Sequence, residues 1–470
     1  MAYELDIEAL RAGYTPTRAE LARIVLALSV PAILSELSTT LMQYIDAGMV
    51  GSLGAHASAS IGLVESTVWL LDGWAMCAAV GFTVLVAQLV GAGRDHDARS
   101  VLRQAIVSLL VLGLVLTAVG TAIAGRLPAL LGGAPELWED ASSYFFICSL
   151  SMVPVIMARL GTGMLQCSGD MRTPSILNVA ACVLDVCFNA ALIYPSREFT
   201  IAGLVIPVPG AGLGIRGAAL GTLLAQLMVA VLLLWFACVR SPRLGLHDKG
   251  SWRPQTKTMR QALGISGPML LERTVMSAAY IAGTVIVAPL GTVAVAANSL
   301  ATTAEAVCYM PGMGMSSAAT TLVGQAMGAQ RKDLAQSFAR ISTGLGMLVM
   351  ACMGGLMFAF APAIMGALTP NAEVAELGTT ILRIEAFAEP LFGASIVGAG
   401  ALRGAADTFV PSLIVMASMW GVRITAASVV APVWGLQGVW AVMATELCVR
   451  GSLFLVRVLR GKWLERGSVA

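Results

Sequence analysis

The sequence predicts an all-α membrane protein: twelve transmembrane helices in two parallel six-helix repeats, or lobes, around a central cleft. Three observations predict it. Apolar residues make up 57% of the 470 residues and charged residues only 12%, with a mean hydropathy of +0.81, far outside the range of soluble globular chains. Apolar runs of about 20 residues, enough to cross a bilayer core of roughly 30 Å, recur along the whole chain. The stretch LVAQLVGAGRDHDA from Leu85 returns as LVGQAMGAQRKDLA from Leu322, 237 positions later, with seven of fourteen residues identical.

In chain order the first six runs cover 22 to 46, 57 to 86, 101 to 124, 139 to 165, 174 to 195 and 212 to 239. The second six cover 261 to 288, 294 to 323, 338 to 360, 376 to 402, 411 to 432 and 436 to 457. The first run is too long for a signal-peptide core and has no small-residue cleavage site behind it, so it stays as a transmembrane helix. The polar interlude Val239 to Arg260, with two prolines and six basic residues, reads as a linker. It divides the chain into an N-terminal lobe, 1–245, and a C-terminal lobe, 246–470.

Basic residues set the orientation, because loops rich in Lys and Arg stay cytoplasmic. Of the 29 Lys and Arg, 22 fall in the two tails and the even-numbered loops, including Arg94, Arg99, Arg103, Arg331 and Lys332. Three lie in the opposite loops (Arg126, Arg197, Arg216), and Arg159, Arg273, Arg383 and Arg423 fall inside spans. Both termini are therefore expected in the cytoplasm. The net charge of +2 is topology, and no nucleic-acid partner is implied.

The offset of 237 extends beyond the opening stretch. Pro31 matches Pro268, Leu53-Gly54 matches Leu290-Gly291, Gln88 matches Gln325, Gly161 and Gly163 match Gly398 and Gly400, and Asp170 matches Asp407. It slips only near the last helix, where GLGIRGAA at Gly212 meets GLQGVWAV at Gly435, because the first half carries a longer loop from Pro195 to Gly210. Six spans per repeat is an even number, so the halves are parallel, an arrangement used by secondary transporters with a site at the repeat interface. Within the repeated stretch, Gly91 and Gly328 are expected to make a tight turn, and Asp97 and Asp333 to cap the next helix.

A charge near the bilayer centre costs from about 3 to more than 10 kcal/mol, so carboxylates inside spans are functional candidates. They are Glu36, Asp46, Glu65, Asp72 and Asp185 in the first repeat, and Glu272, Glu305, Glu385, Glu389 and Glu446 in the second. On the first helix Glu36, Gln43 and Asp46 fall within about 80° of one another. Glu272 beside Arg273, and Glu385 beside Arg383, are equally readable as ion pairs. Glu305 stands alone in an apolar helix ahead of YMPGMGM and is expected to line a cavity. Met310 and Tyr309 follow it, the thioether suiting varied apolar ligands; Trp69 and Trp74 read equally as stacking platforms or interface anchors.

With SVPAILSE at Ser29, IDAGMVGSLG at Ile45, LVAQLVGAGR at Leu85, GDMRTP at Gly169 and LVGQAMGAQR at Leu322, the chain resembles a MATE (multidrug and toxic compound extrusion) transporter almost from end to end. The resemblance implies export of amphipathic, often cationic, organic compounds by alternating access, coupled to H+ or Na+, in a prokaryotic inner membrane, with no other cofactor. A monomer is expected. Asp46 and Asp185 match positions that form an acidic pocket in the DinF-like branch, with Glu36 on the same helix, and Pro31 matches the proline at which helix 1 bends. The sequence departs at Ala181, where the branch has Asn; Asn178 and Asn189 are the substitutes on the same helix. The NorM-like branch carries its acids in the C-terminal lobe, where Glu272 and Glu385 or Glu389 offer themselves.

Other signals point nowhere. Gly212, Gly214 and Gly217 spell GxGxxG without the βαβ context that gives it meaning, there is no nucleotide-binding GxxxxGK[ST], and nine scattered cysteines with three loop histidines suggest no metal site. A lipid-linked precursor flippase, and a passive channel or scaffold on the same fold, are the alternatives; enzyme chemistry is not expected.

Overall fold

The computed structural model describes residues 16–201 and 204–466, and almost all of them are helical. The helices are α1 Arg18–Gly51, α2 Ala55–Gly91, α3 Asp95–Ile123, α4 in two pieces (Trp138–Leu150 and Met152–Cys167), α5 Arg172–Ile193 and α6 Ile215–Trp235. The second set is α7 Thr256–Val287, α8 Thr292–Gly328, α9 Lys332–Leu368 and α10 in two pieces (Ala372–Ala386 and Glu389–Gly404). The run from Phe409 to Arg460 breaks at Gly435, whose φ of 58° and ψ of −149° no helix contains; residues 409–434 are α11 and 436–460 are α12.

Among the described residues eight helical runs are long and apolar enough to cross a membrane, and the bent pair in α4 makes nine. Counting the run through Gly435 as two and adding the less apolar α8 and α10 gives the twelve expected spans. Gly214, at φ 55° and ψ −128°, opens α6 as Gly435 opens α12, so the repeat register at the last helix pairs Gly435 with Gly214, two residues on from Gly212. A two-stranded antiparallel hairpin, β1 Pro195–Ile201 and β2 Leu204–Ala211, fills the long loop before α6.

The halves share an irregularity that the sequence does not announce. α4 is interrupted at Ser151, with a 42° bend, and α10 at Phe387–Ala388; Ser151 and Ala388 are 237 positions apart. Interrupted helices at corresponding places in two repeats are the pattern that transporters use to expose backbone and polar groups at membrane depth.

The chain forms two compact units. The C-terminal unit holds residues up to Leu37, Val84–Arg94 and Leu263 onward; the N-terminal unit holds Ser38–Thr83 and Asp95–Ala262. Helix α1 therefore starts in one unit and ends in the other. Its first half contributes Leu21 and Val25 to a core with Leu322, Phe338, Val397 and Phe454, and the backbone at Ile33 lies so close to Gly314 that a Cβ there would collide with it. Helical geometry continues through Pro31. The linker belongs to the N-terminal unit: Arg99 bonds the Arg243 carbonyl and pairs with Asp248, Arg103 bonds the Asp248 carbonyl, and Gln104 accepts from the Gln255 amide.

The repeated stretch has a structural meaning different from the expected turn. Gly91 and Gly328 are the last helical residues of α2 and α8, and the turns that follow place Gly93 (φ 70°) and Gln330 (φ 61°) in the left-handed region. A Cβ on Gly91 would run into the Gln325 carbonyl, and one on Gly328 into the Gln88 carbonyl. The two copies of the motif thus meet each other reciprocally. Without a hydrophobic drive between helices in lipid, such small-residue contacts supply the packing. The Gln88 amide donates to the Gly404 carbonyl at 3.0 Å, tying α10 to the same crossing. Arg331 closes on Asp333 at the start of α9.

Candidate functional site

In the N-terminal unit the structure brings together Asp46 of α1 with Asp185 and Asn189 of α5. The single Asn189 amide nitrogen donates to Asp46 Oδ1 at 2.7 Å and to Asp185 Oδ2 at 2.9 Å. Asp185 and Asn189 are fully buried. The i,i+4 spacing puts Asn189 directly above Asp185 on one helix face, and α6 presses it there: a Cβ on Gly221 would collide with Asn189 Oδ1. Thr222 of α6 lies beside Asp185, and Tyr144 of α4 faces Asp46, Glu65 of α2 and Cys148.

Among the described residues neither carboxylate has a basic partner. Arg159, which could have neutralised them, pairs with Asp72 at 3.1 Å. Asn189 is thus the polar partner that both carboxylates share, while Asn178 stands about two turns before Asp185. Gln43 is exposed in the same unit, and Glu36 belongs to the half of α1 that packs with the C-terminal unit.

A second cluster occupies the C-terminal unit. Glu385 lies in the last turn of the first piece of α10 and Glu389 begins the second, so the two acids straddle the helix interruption. Both are fully buried, and among the described residues none gives a hydrogen bond to any of their four carboxylate oxygens. Glu305 of α8 faces them, with Arg423 and Arg450 nearby. Arg423 rides on a π-helical turn, Met419–Ile424, and touches the Met443 sulfur. Glu446 accepts from the Ser418 hydroxyl at 2.7 Å and lies 3.4 Å from Arg450. Tyr309 meets Phe392 edge to face at 5.8 Å between centroids, and Arg450 lies over Phe392. Met310 lies half-buried on α8 beside them in sequence.

Three expectations change. Glu385 does not pair with Arg383, which bonds the Phe358 carbonyl and covers the Phe358 ring. Glu272 does not pair with Arg273; it accepts from Ser412 at 2.6 Å. Arg450, counted with the cytoplasmic basic residues, is buried inside α12 beside Glu446; its position one turn after a buried acid was the available signal. Tyr144 and Thr222 were missed because a lone hydroxyl in an apolar span carries no sequence signature.

Two repeats of six spans, with helices interrupted at matching positions and carboxylates buried among the spans, define a polytopic membrane transporter. The family profile described as MatE matches residues 31–191 and again 268–429, the second match starting 237 positions after the first. The chain belongs to the MatE family. Among similar proteins are the "Probable multidrug resistance protein NorM" of Thermotoga maritima, 27% identical over 453 residues and covering 95% of this chain and 94% of that one, and the "Multidrug resistance protein MdtK" of Yersinia pestis, 23% identical over 461 residues, 96% and 97%. Solved structures of the same fold include a MOP superfamily transporter from Pyrococcus furiosus (TM-score 0.84, 19% identity, covering 96% and 99%). The Vibrio cholerae MATE transporter VcmN in the bent form is another (0.83, 18%, 96% and 98%).

Proposed function

We propose that this protein exports small amphipathic organic compounds, among them organic cations, against an inward flow of H+ or Na+, by alternating access. The observation that carries the reading is the Asp46–Asn189–Asp185 arrangement: two carboxylates on different helices share one amide and, among the described residues, have no basic partner. Charge held that way out of water favours a bound cation, and binding or losing it changes what α1 feels from α5. Multidrug resistance proteins among its relatives support the substrate class. The basic-residue bias supports both termini being cytoplasmic, the bacterial relatives support a prokaryotic inner membrane, and the protein is proposed to act as a monomer.

One cation crossing 100 mV supplies about 2.3 kcal/mol, roughly a fifty-fold concentration ratio. That suffices for extrusion. The acids straddling the α10 interruption favour a second reading, coupling in the C-terminal unit, with Glu305, Glu385 and Glu389 as the groups.

The test is purified protein in liposomes, following efflux of a fluorescent organic cation under an imposed proton or sodium gradient. Uphill transport lost with Asp46→Asn and kept with Glu385→Gln or Glu389→Gln places coupling at the N-terminal site; the reverse pattern places it in the C-terminal unit. If neither gradient drives uphill movement of several cations, the export reading fails.

A further inference from the structure

One turn beyond the carboxylates, α1 and α5 are joined a second time by groups that the proposed function does not use. The Tyr194 hydroxyl lies 2.7 Å from Ser52 Oγ and donates to the Met49 carbonyl at 3.3 Å; the Ser52 hydroxyl is also 2.6 Å from that carbonyl. Met49 is among the last four residues of α1, whose carbonyls have no partner within the helix. Two hydroxyl groups from the end of α5 and the turn after α1 close around one of them.

Tyr194 itself has a fixed seat. It caps α5, and the chain returning into α6 ties off that helix end: the Gly212, Leu213 and Gly214 amides donate to the carbonyls of Tyr194, Leu192 and Ile193 at 3.0, 2.9 and 3.0 Å. Gly217 lies so close to Leu192 that a Cβ would strike its carbonyl, as one on Gly221 would strike Asn189. The ring packs with Val50, Ile193 and Ile215. Helices α5 and α6 thus form one platform that grips the end of α1 at two levels, Asn189 to Asp46 and, about 4.5 Å further along α1, Tyr194 to Met49 and Ser52.

We propose that Tyr194 is a positioning residue for the carboxylate site: by anchoring the end of α1 to the α5–α6 platform, it sets the placement of Asp46 against Asn189 and Asp185, and with it the affinity for the coupling cation. The inference rests on Asp46 and Asp185 being the cation site. It assigns Tyr194 no contact with the cation or the exported compound.

The experiment titrates Na+, and separately pH, against the thermal stability of the purified full chain without substrate, and repeats both titrations on uphill transport in liposomes. Tyr194→Phe keeps the ring and deletes the hydroxyl; Ser52→Ala deletes its partner; Asp46→Asn is the reference. The titratable groups facing the carboxylates are Tyr144, which faces Asp46, and Cys182, with Glu65 and Cys148 in turn facing Tyr144; all remain in the first two variants, so a shift is assignable to the anchor. Removing one neutral hydrogen bond predicts a weakening of the half-saturating cation concentration by about three- to tenfold, in both variants, with the KM for the organic cation at saturating coupling ion unchanged. A Tyr194→Phe protein with wild-type cation dependence overturns the proposal, as does one that melts lower with cation dependence unmoved, since that is a structural role alone. If Asp46→Asn keeps the wild-type cation response, the carboxylate-site reading falls and this proposal with it.

Discussion

Asn189 joins two acids with its amide packed closely against α6. Gly221 leaves room for the amide, and any Cβ there would push on Asn189 Oδ1. Gly221→Ala should therefore behave as a weak form of Asn189→Ala: both lower the response to the coupling cation, and the alanine at 221 costs about 1–3 kcal/mol of stability by overpacking. Thermal melting with and without cation measures both effects; a Gly221→Ala protein with unaltered cation response would show that the amide is not held by α6. At this scale the sequence was informative where spacing carries meaning. Asp185 and Asn189 are one turn apart and could be matched by eye, but the bond from Asn189 to Asp46 spans 143 positions and depends on how two helices pack. For the same reason Arg450, four residues after Glu446, was legible only once both were seen inside α12, and Arg383 gave no hint that it would turn to Phe358 and away from Glu385.

Helices, by contrast, were written plainly. A bilayer fixes their length, so twelve apolar runs became twelve spans with ends displaced by a few residues, mostly because the structure extends α1, α8 and α9 beyond the apolar core. What apolar runs do not encode is where a helix interrupts itself: Ser151 sits in an apolar stretch, and Glu385, Glu389 and Pro390 around Ala388 read as span residues without marking a break. The repeated motif shows the other limit. Its glycines were read as turn residues, yet they lie inside helices and serve the α2–α8 crossing, while Gly93 and Gln330 make the turns. Valine at Gly91 or Gly328 should cost more than valine at Gly283, where a Cβ would meet no atom within 4 Å. We expect Gly91→Val and Gly328→Val each to lower the melting temperature and transport, and the double variant to fall short of their sum, because both disturb one contact. Full additivity would mean the two glycines act in separate contacts.

For the molecule as a whole, the basic residues make the sharpest demand. If both termini and the linker are cytoplasmic, the segment between α6 and α7 and the segment between α3 and α4 lie on opposite sides of the membrane. Ser251 is exposed in the linker, and Trp138 is exposed at the start of α4. In a background with the nine native cysteines replaced, Trp138→Cys should react with a membrane-impermeant maleimide on intact cells, and Ser251→Cys only after permeabilisation. The contrast matters for coupling as well as for topology. An exporter driven by inward cation flow must load its cation from outside, and the outer ends of α1 and α5, where Asp46, Asn189 and Tyr194 lie, are on the Trp138 side under this orientation. Labelling with the opposite sidedness would put the carboxylate site at the cytoplasmic end and require the cation to enter from the wrong compartment, so the N-terminal coupling scheme would not survive it.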